Sequence, residues 1–193
     1  MQRRILIIDG HPDPESGRFM HALVAAYRDA AAAAGHVVQS IEVATLDFPL
    51  LRTAADFQDG KPPATILAAQ RQIAGAEHLA IFYPLWLGSL PSLTKAFFEQ
   101  CLRPGFAFGP ASGRGLPEQK LKGRSARVVV TMGMPSFFYR WFYRAHSLKS
   151  FERNILHFCG IRPVRATIVG GVESKAARER ALAAMRRLGA EAR

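Results

Sequence analysis

The chain has 193 residues, nearly half of them hydrophobic, with two cysteines and a net charge of +11. That length suits one compact domain over residues 1–193 with a substantial core, and the apolar share excludes wholesale disorder. No apolar run nears the ~18 residues of a bilayer span, and the arginines are scattered without a compact basic block, so the charge fits steering of an anionic cofactor better than nucleic-acid binding.

Residues Ile5–Ile8 form a continuous apolar run, the pattern of a central strand buried on both faces. Asp9 and His11 interrupt it, so the basic and apolar N-terminus reads as a first strand and not as a signal peptide. Phe19, Leu23, Tyr27, Ala30 and Ala34 recur at helical spacing, and Gly35 closes that helix. His36–Val43 is the second strand and Thr45–Pro63 a long loop. Ala64–Ala74 is a weaker helix, Leu79–Tyr83 the third strand, and Ser92–Leu102 a helix that Pro91 starts. Pro104–Arg124 is rich in Gly and Pro and reads as loop. Ala126–Thr131 is the fourth strand, Ser147–Phe158 a helix, Val164–Val169 the fifth strand and Lys175–Leu188 the last helix. Cys101 and Cys159 both fall within apolar patterns, as buried free thiols of a reducing, cytoplasmic setting do.

Five strands alternating with helices predict an α/β three-layer sandwich. Without a dinucleotide glycine fingerprint the pattern favours the flavodoxin-like parallel sheet of order 2-1-3-4-5. Ligands of such sheets bind outside the carboxyl ends of the strands, which singles out the loops after strands one, three and four. Loop one, His11-Pro12-Asp13-Pro14-Glu15-Ser16-Gly17-Arg18, joins a strand to a helix N-terminus, a geometry that favours phosphate. Ser16 is the predicted N-cap, Arg18 a phosphate partner and His11 a donor. Loop two, Tyr83–Pro91, is unusually apolar and suits a flat aromatic ring. In loop three Gly133 allows close backbone approach to a ring edge. Six aromatics within Phe137–Tyr143 are too many for a solvated loop and call for cover by a pocket, a partner subunit or a membrane surface.

Together these loops resemble the flavodoxin-like NAD(P)H quinone oxidoreductases, the DT-diaphorase type and its bacterial relatives. The resemblance rests on His11 to Ser16; on Tyr83-Pro84-Leu85 followed by Pro91, Lys95, Phe98 and Glu99; on Thr131-Met132-Gly133 with Tyr139 six positions on; and on Ile155-Leu156-His157-Phe158-Cys159-Gly160. It implies that His11, Ser16 and the helix N-terminus at Gly17, Arg18 and Phe19 hold a flavin phosphate. It implies that Pro84, Leu85, Trp86 and Leu87 line the isoalloxazine, and that Thr131, Met132, Gly133 and Met134 meet its edge. Tyr139 and His146 are the implied stabilisers of charge on the reduced ring. The sequence departs from the family pattern at Gly17 and Arg18, at Gly88 where a bulky aromatic is common, at Met134 in place of a second glycine, and at His146, one residue out of register. The chain lacks the long C-terminal extension of the larger animal enzymes, which weakens any carry-over of adenine contacts and leaves FMN and FAD both open, with a slight preference for FMN. The implied reaction passes hydride from NAD(P)H to a quinone by a two-electron, ping-pong route in a homodimer, with no metal. A one-electron carrier of the flavodoxin type and a redox-sensing subunit of a membrane transporter are the alternatives.

Overall fold

A computed structural model describes residues 1–111 and 117–193. In chain order the elements are β1 (Arg4–Asp9), α1 (Phe19–Ala33), β2 (Val37–Glu42), α2 (Ala54–Gln58), α3 (Ala64–Gly75), β3 (His78–Pro84), α4 (Ser92–Cys101), β4 (Phe108–Ala111), β5 (Pro117–Gln119), β6 (Ser125–Met132), α5 (Ser136–Trp141), α6 (His146–Ser150), α7 (His157–Cys159), β7 (Val164–Gly170) and α8 (Lys175–Ala190). The main sheet runs β2-β1-β3-β6-β7 and every pairing in it is parallel. This is the predicted 2-1-3-4-5 order.

Alternation along the central strands divides the core in two. Leu6, Ile8, Leu79, Ile81, Tyr83, Val128 and Val130 pack under α3, α4 and the α6–α7 region. Ile5, Ile7, Ala80, Phe82 and Val129 pack under α1 and α8. Both faces are buried, which is why these strands read as unbroken apolar runs. The edge strands β2 and β7 keep exposed residues such as Gln39, Ser40, Arg165 and Ala166. Cys101 and Cys159 are buried free thiols. Burial pushes the Cys159 thiol up to about 12 and the Cys101 thiol higher still.

Four expectations need correction. The stretch Thr45–Pro63 contains α2, which the Thr53 hydroxyl and the Asp56 carboxylate cap reciprocally. Within Pro104–Arg124, β4 and β5 pair antiparallel, residues 112–116 lying outside the described part. The helix over Ser147–Phe158 is three pieces, α6, a π-helical turn at Phe151–Leu156 and α7, ended by Gly160 at φ +95°. The aromatic segment after loop three is helical, as α5.

His78 opens β3 and is only 2% exposed, its Nδ1 2.8 Å from the Ser125 hydroxyl. Burial, then the Arg3, Arg127 and Arg165 charges, lower its pKa to about 4. Because the unfolded chain then binds the extra proton more readily, folding stability falls as pH drops from 6.5 towards 4, by at most about 3 kcal/mol from this residue. Urea unfolding at a series of pH values should show that acid loss, and His78→Gln should reduce its slope.

Candidate active site

The parallel register sets the three loops side by side. Asp9 pairs with Phe82, and Pro84 with Thr131, so β1, β3 and β6 end together. Gly10 sits where these ends crowd: its N–H donates to Phe82 O at 2.7 Å and its carbonyl accepts from Thr94 Oγ1 at 2.5 Å. A Cβ here would lie 2.8 Å from Phe82 O, so only glycine fits.

Loop one is organised by the buried Asp9 carboxylate. One oxygen accepts the His11 N–H at 3.1 Å and the other lies 2.6 Å from His21 Nδ1. His11 Nδ1 lies 3.1 Å from both the N–H and the carbonyl oxygen of Asp13, so it accepts from the one or donates to the other according to its tautomer. Burial in the first place lowers the His11 pKa, against the Asp13 hydrogen bond, so the ring stays neutral at pH 7. Arg18, not Ser16, is the N-cap of α1, and no side chain caps this helix. The correction has a physical consequence. Among the described residues, the N–H groups of Ser16, Gly17 and Phe19 have no protein acceptor, and no acidic residue stands in the first turn of α1. This is the donor set of an anion site. Arg18 is committed within the loop: its guanidinium donates to Asp13 at 2.7 Å and pairs with Glu15 at 2.7 Å.

Loop two leaves β3 at Pro84. Trp86 and Ser89 exchange both backbone hydrogen bonds, at 3.0 and 2.9 Å, around a two-residue turn in which Leu87 has φ +45° and Gly88 φ +80°. A leucine in the left-handed region is strained and stands fully exposed. Trp86 is half exposed and presents its ring edge-on to His11, the centroids 6.3 Å apart. The Leu85 N–H donates to Thr131 O at 2.8 Å and ties loop two to loop three. Pro91 is the N-cap of α4 rather than its first residue.

In loop three Thr131 and Met132 are buried and Gly133 is exposed, with nothing near the position its Cβ would take. The space above it is open to a ligand edge. The Met134 carbonyl accepts the Gly171 N–H at 3.1 Å, and Gly170 has no room for a Cβ against Met134 and Ser136. Tyr139 on α5 is 1% exposed; its hydroxyl lies 2.8 Å from Ser147 Oγ and accepts the Leu148 N–H at 3.3 Å. His146 opens α6 and is exposed, Nδ1 3.0 Å from Tyr143 O. Phe137, Trp141 and Phe142 are largely exposed. A cavity of about 600 Å³ lies away from these loops, between Leu51–Thr53, α4, Phe108 and Ile155. Asp9 and His21 were not among the residues singled out in the sequence; His21 falls at helical spacing inside α1, with no motif to mark it.

A family described as a flavodoxin-like fold matches residues 3–190 of this sequence. The chain belongs to that family. Among its relatives, an FMN-dependent NADH:quinone oxidoreductase of Listeria innocua is 26% identical over 160 residues, 74% of this chain and 72% of that protein. An uncharacterized NAD(P)H oxidoreductase of Haemophilus influenzae is 26% identical over 115 residues, 59% of this chain and only 56% of that protein's length. Of solved structures, the NAD(P)H:quinone oxidoreductase from Methanothermobacter marburgensis superposes with a TM-score of 0.83 at 21% identity, covering 100% of both chains. An FMN-dependent NADH-azoreductase from Bacillus anthracis, in complex with FMN, gives 0.77 at 14% identity, over 98% of this chain and 99% of that one. In this flavodoxin-like chain no helix among the described residues is long and apolar enough to cross a membrane.

The Tyr139 hydroxyl joins α5 to α6 inside the core. Tyr139→Phe leaves Ser147 and the Leu148 N–H without that partner, and should cost about 1–3 kcal/mol of stability, read from the urea midpoint at constant slope.

Proposed function

We propose that this protein is an FMN-dependent oxidoreductase that takes hydride from NAD(P)H and passes it to a quinone or similar flat acceptor. The observation that carries this reading is the uncapped α1 N-terminus beside an apolar strip, Pro84 to Leu87, at adjoining strand ends. A phosphate and a flat ring joined by a short chain match that pair of surfaces. The relatives named as FMN-dependent enzymes support FMN over FAD.

When bound, the flavin supplies acceptance and delivery of hydride. The chain supplies the rest. The His11 ring, the Ser16 hydroxyl and the free N–H groups of Gly17 and Phe19 bind the phosphate, with Arg18 holding the loop closed. Pro84, Leu85, Trp86 and Leu87 support one face of the ring. Backbone of Thr131, Met132, Gly133 and Met134 meets its edge, where N–H donors stabilise negative charge. By the family resemblance His146 would stabilise charge there, and the Tyr139 hydroxyl ties α5 to the start of α6, which His146 opens. A second copy of the chain covers the exposed Trp86, Leu87, Phe137 and Trp141, so that two electrons move in a site shielded from water. Nicotinamide and acceptor occupy the same face in turn, which makes the reaction ping-pong.

Purified protein should bind FMN and quench its fluorescence. NADH or NADPH should bleach the bound flavin without any partner reductase, and benzoquinone should restore it. His11→Ala should weaken FMN binding about tenfold or more, the worth of one hydrogen bond to a charged group. A protein that fails to quench FMN overturns the reading.

A further inference from the structure

We propose that His21 is a positioning residue that acts as an imidazolium, clasping loop one between the end of β1 and the peptide carbonyl of Asp13, and so holding it in the shape that receives phosphate. The phosphate part of this inference rests on the flavin reading above; the clasp stands on the geometry of the chain itself. His21 Nδ1 lies 2.6 Å from Asp9 Oδ2 and Nε2 lies 2.9 Å from the Asp13 carbonyl oxygen. The second oxygen of Asp9 already accepts the His11 N–H, so this group uses both oxygens as acceptors. A neutral imidazole has one N–H and would set a lone pair against one of its two partners. Only the doubly protonated ring donates to both.

The neighbours of the ring agree with a charged form. Asp9 reaches it from β1, the Asp13 carbonyl from loop one and Glu42 from the end of β2. Arg28, two helical turns on in α1, lines with Asp9, His21 and Glu42 a cavity of about 300 Å³. The His11 ring stands 5.3 Å away but is neutral, and the Asp13 carboxylate is paired with Arg18. Burial opposes the charge on His21; the Asp13 carbonyl, the Asp9 carboxylate and Glu42 outweigh it and raise the pKa. The two histidines therefore divide one residue between them. His11 Nδ1 meets the N–H and C=O of Asp13 and His21 gives to its C=O, which holds that residue between the two rings.

The folded pKa of His21 is raised, so the clasp is complete below pH 6.5 and is lost as pH rises through the folded value. The test is a titration of the apoprotein followed by long-range proton–nitrogen NMR of the His21 ring. Both nitrogens should carry a proton below a midpoint that lies above 6.5. FMN affinity, measured from pH 7 upward where a phosphate monoester of pKa about 6 is already dianionic, should fall about tenfold across that midpoint. By linkage, FMN should move the midpoint higher, and riboflavin, which lacks the phosphate, should show no such dependence. His21→Gln, checked for native circular dichroism, should bind FMN about tenfold more weakly with the pH dependence gone. A ring that is already a neutral single tautomer at pH 6.5 overturns the clasp whether or not the variant folds. A charged ring with pH-independent FMN affinity overturns its role in phosphate binding. Failure to bind FMN at any pH overturns the flavin reading, and with it the phosphate role, while the NMR midpoint still decides the clasp.

Discussion

A parallel ladder buried on both faces leaves its backbone free to meet a ligand only at its ends. That constraint arranges everything of chemical interest in this protein. β1, β3 and β6 are clothed on one side by α1 and α8 and on the other by α3 and α4, with Ile7, Ile81 and Val129 almost wholly removed from water. The Asp9–Phe82 and Pro84–Thr131 registers then bring three carboxyl ends flush, and the cross-link from Leu85 N–H to Thr131 O keeps two of the loops from parting. Gly10 permits the close approach because a side chain there has no space against Phe82 and Thr94.

Electrostatics at the first strand end follow from one buried carboxylate. Asp9 could not sit 5% exposed without partners, and His11 N–H and His21 supply them. The same carboxylate favours the charged form of both imidazoles, whose centroids are 5.3 Å apart, and their shifts nevertheless run in opposite directions. Burial depresses His11, while acceptors on both sides favour the cation of His21. Two further acids, Asp13 and Glu15, would repel an anion, but Arg18 pairs with both. Arg18 thus offsets the loop's acids, and the uncapped N–H groups of α1 leave a partial positive charge at its start.

Left-handed backbone occurs in the loop-two turn, between α5 and α6, and at Ala192 beyond α8. Leu87, Arg144 and Ala145 all adopt positive φ without being glycine. Leu87 lies in the loop-two turn, and the other two join the aromatic helix α5 to α6. Such conformations cost of order 1–3 kcal/mol each and persist where surrounding contacts fix them. Here the fixing contacts are the paired hydrogen bonds of Trp86 with Ser89 and the Tyr139 hydroxyl against Ser147 and Leu148. Trp86, Leu87, Phe137 and Trp141 are each half exposed or more.

The sequence by itself determined the sheet. Runs such as Ile5–Ile8 and Val128–Val130 are apolar at every position because both faces are covered, and helical spacing from Phe19 to Ala34 or Lys175 to Leu188 is local information. It also marked loops one, two and three, since strand ends and turn residues are local too. Only the tertiary structure decided how those loops are wired. Ser16 has the chemistry of an N-cap, yet α1 begins two residues later, because Arg18 closes on Asp13 and Glu15. The helix over Ser147–Phe158 broke into segments and the Gly/Pro-rich stretch after α4 paired into β4 and β5, both through contacts with distant elements that periodicity cannot register. His21 carried no signal as a helix residue among apolar neighbours. Its partners come from β1 and from a loop, twelve and eight residues away, and a side chain's protonation is set by what the fold places opposite each of its atoms.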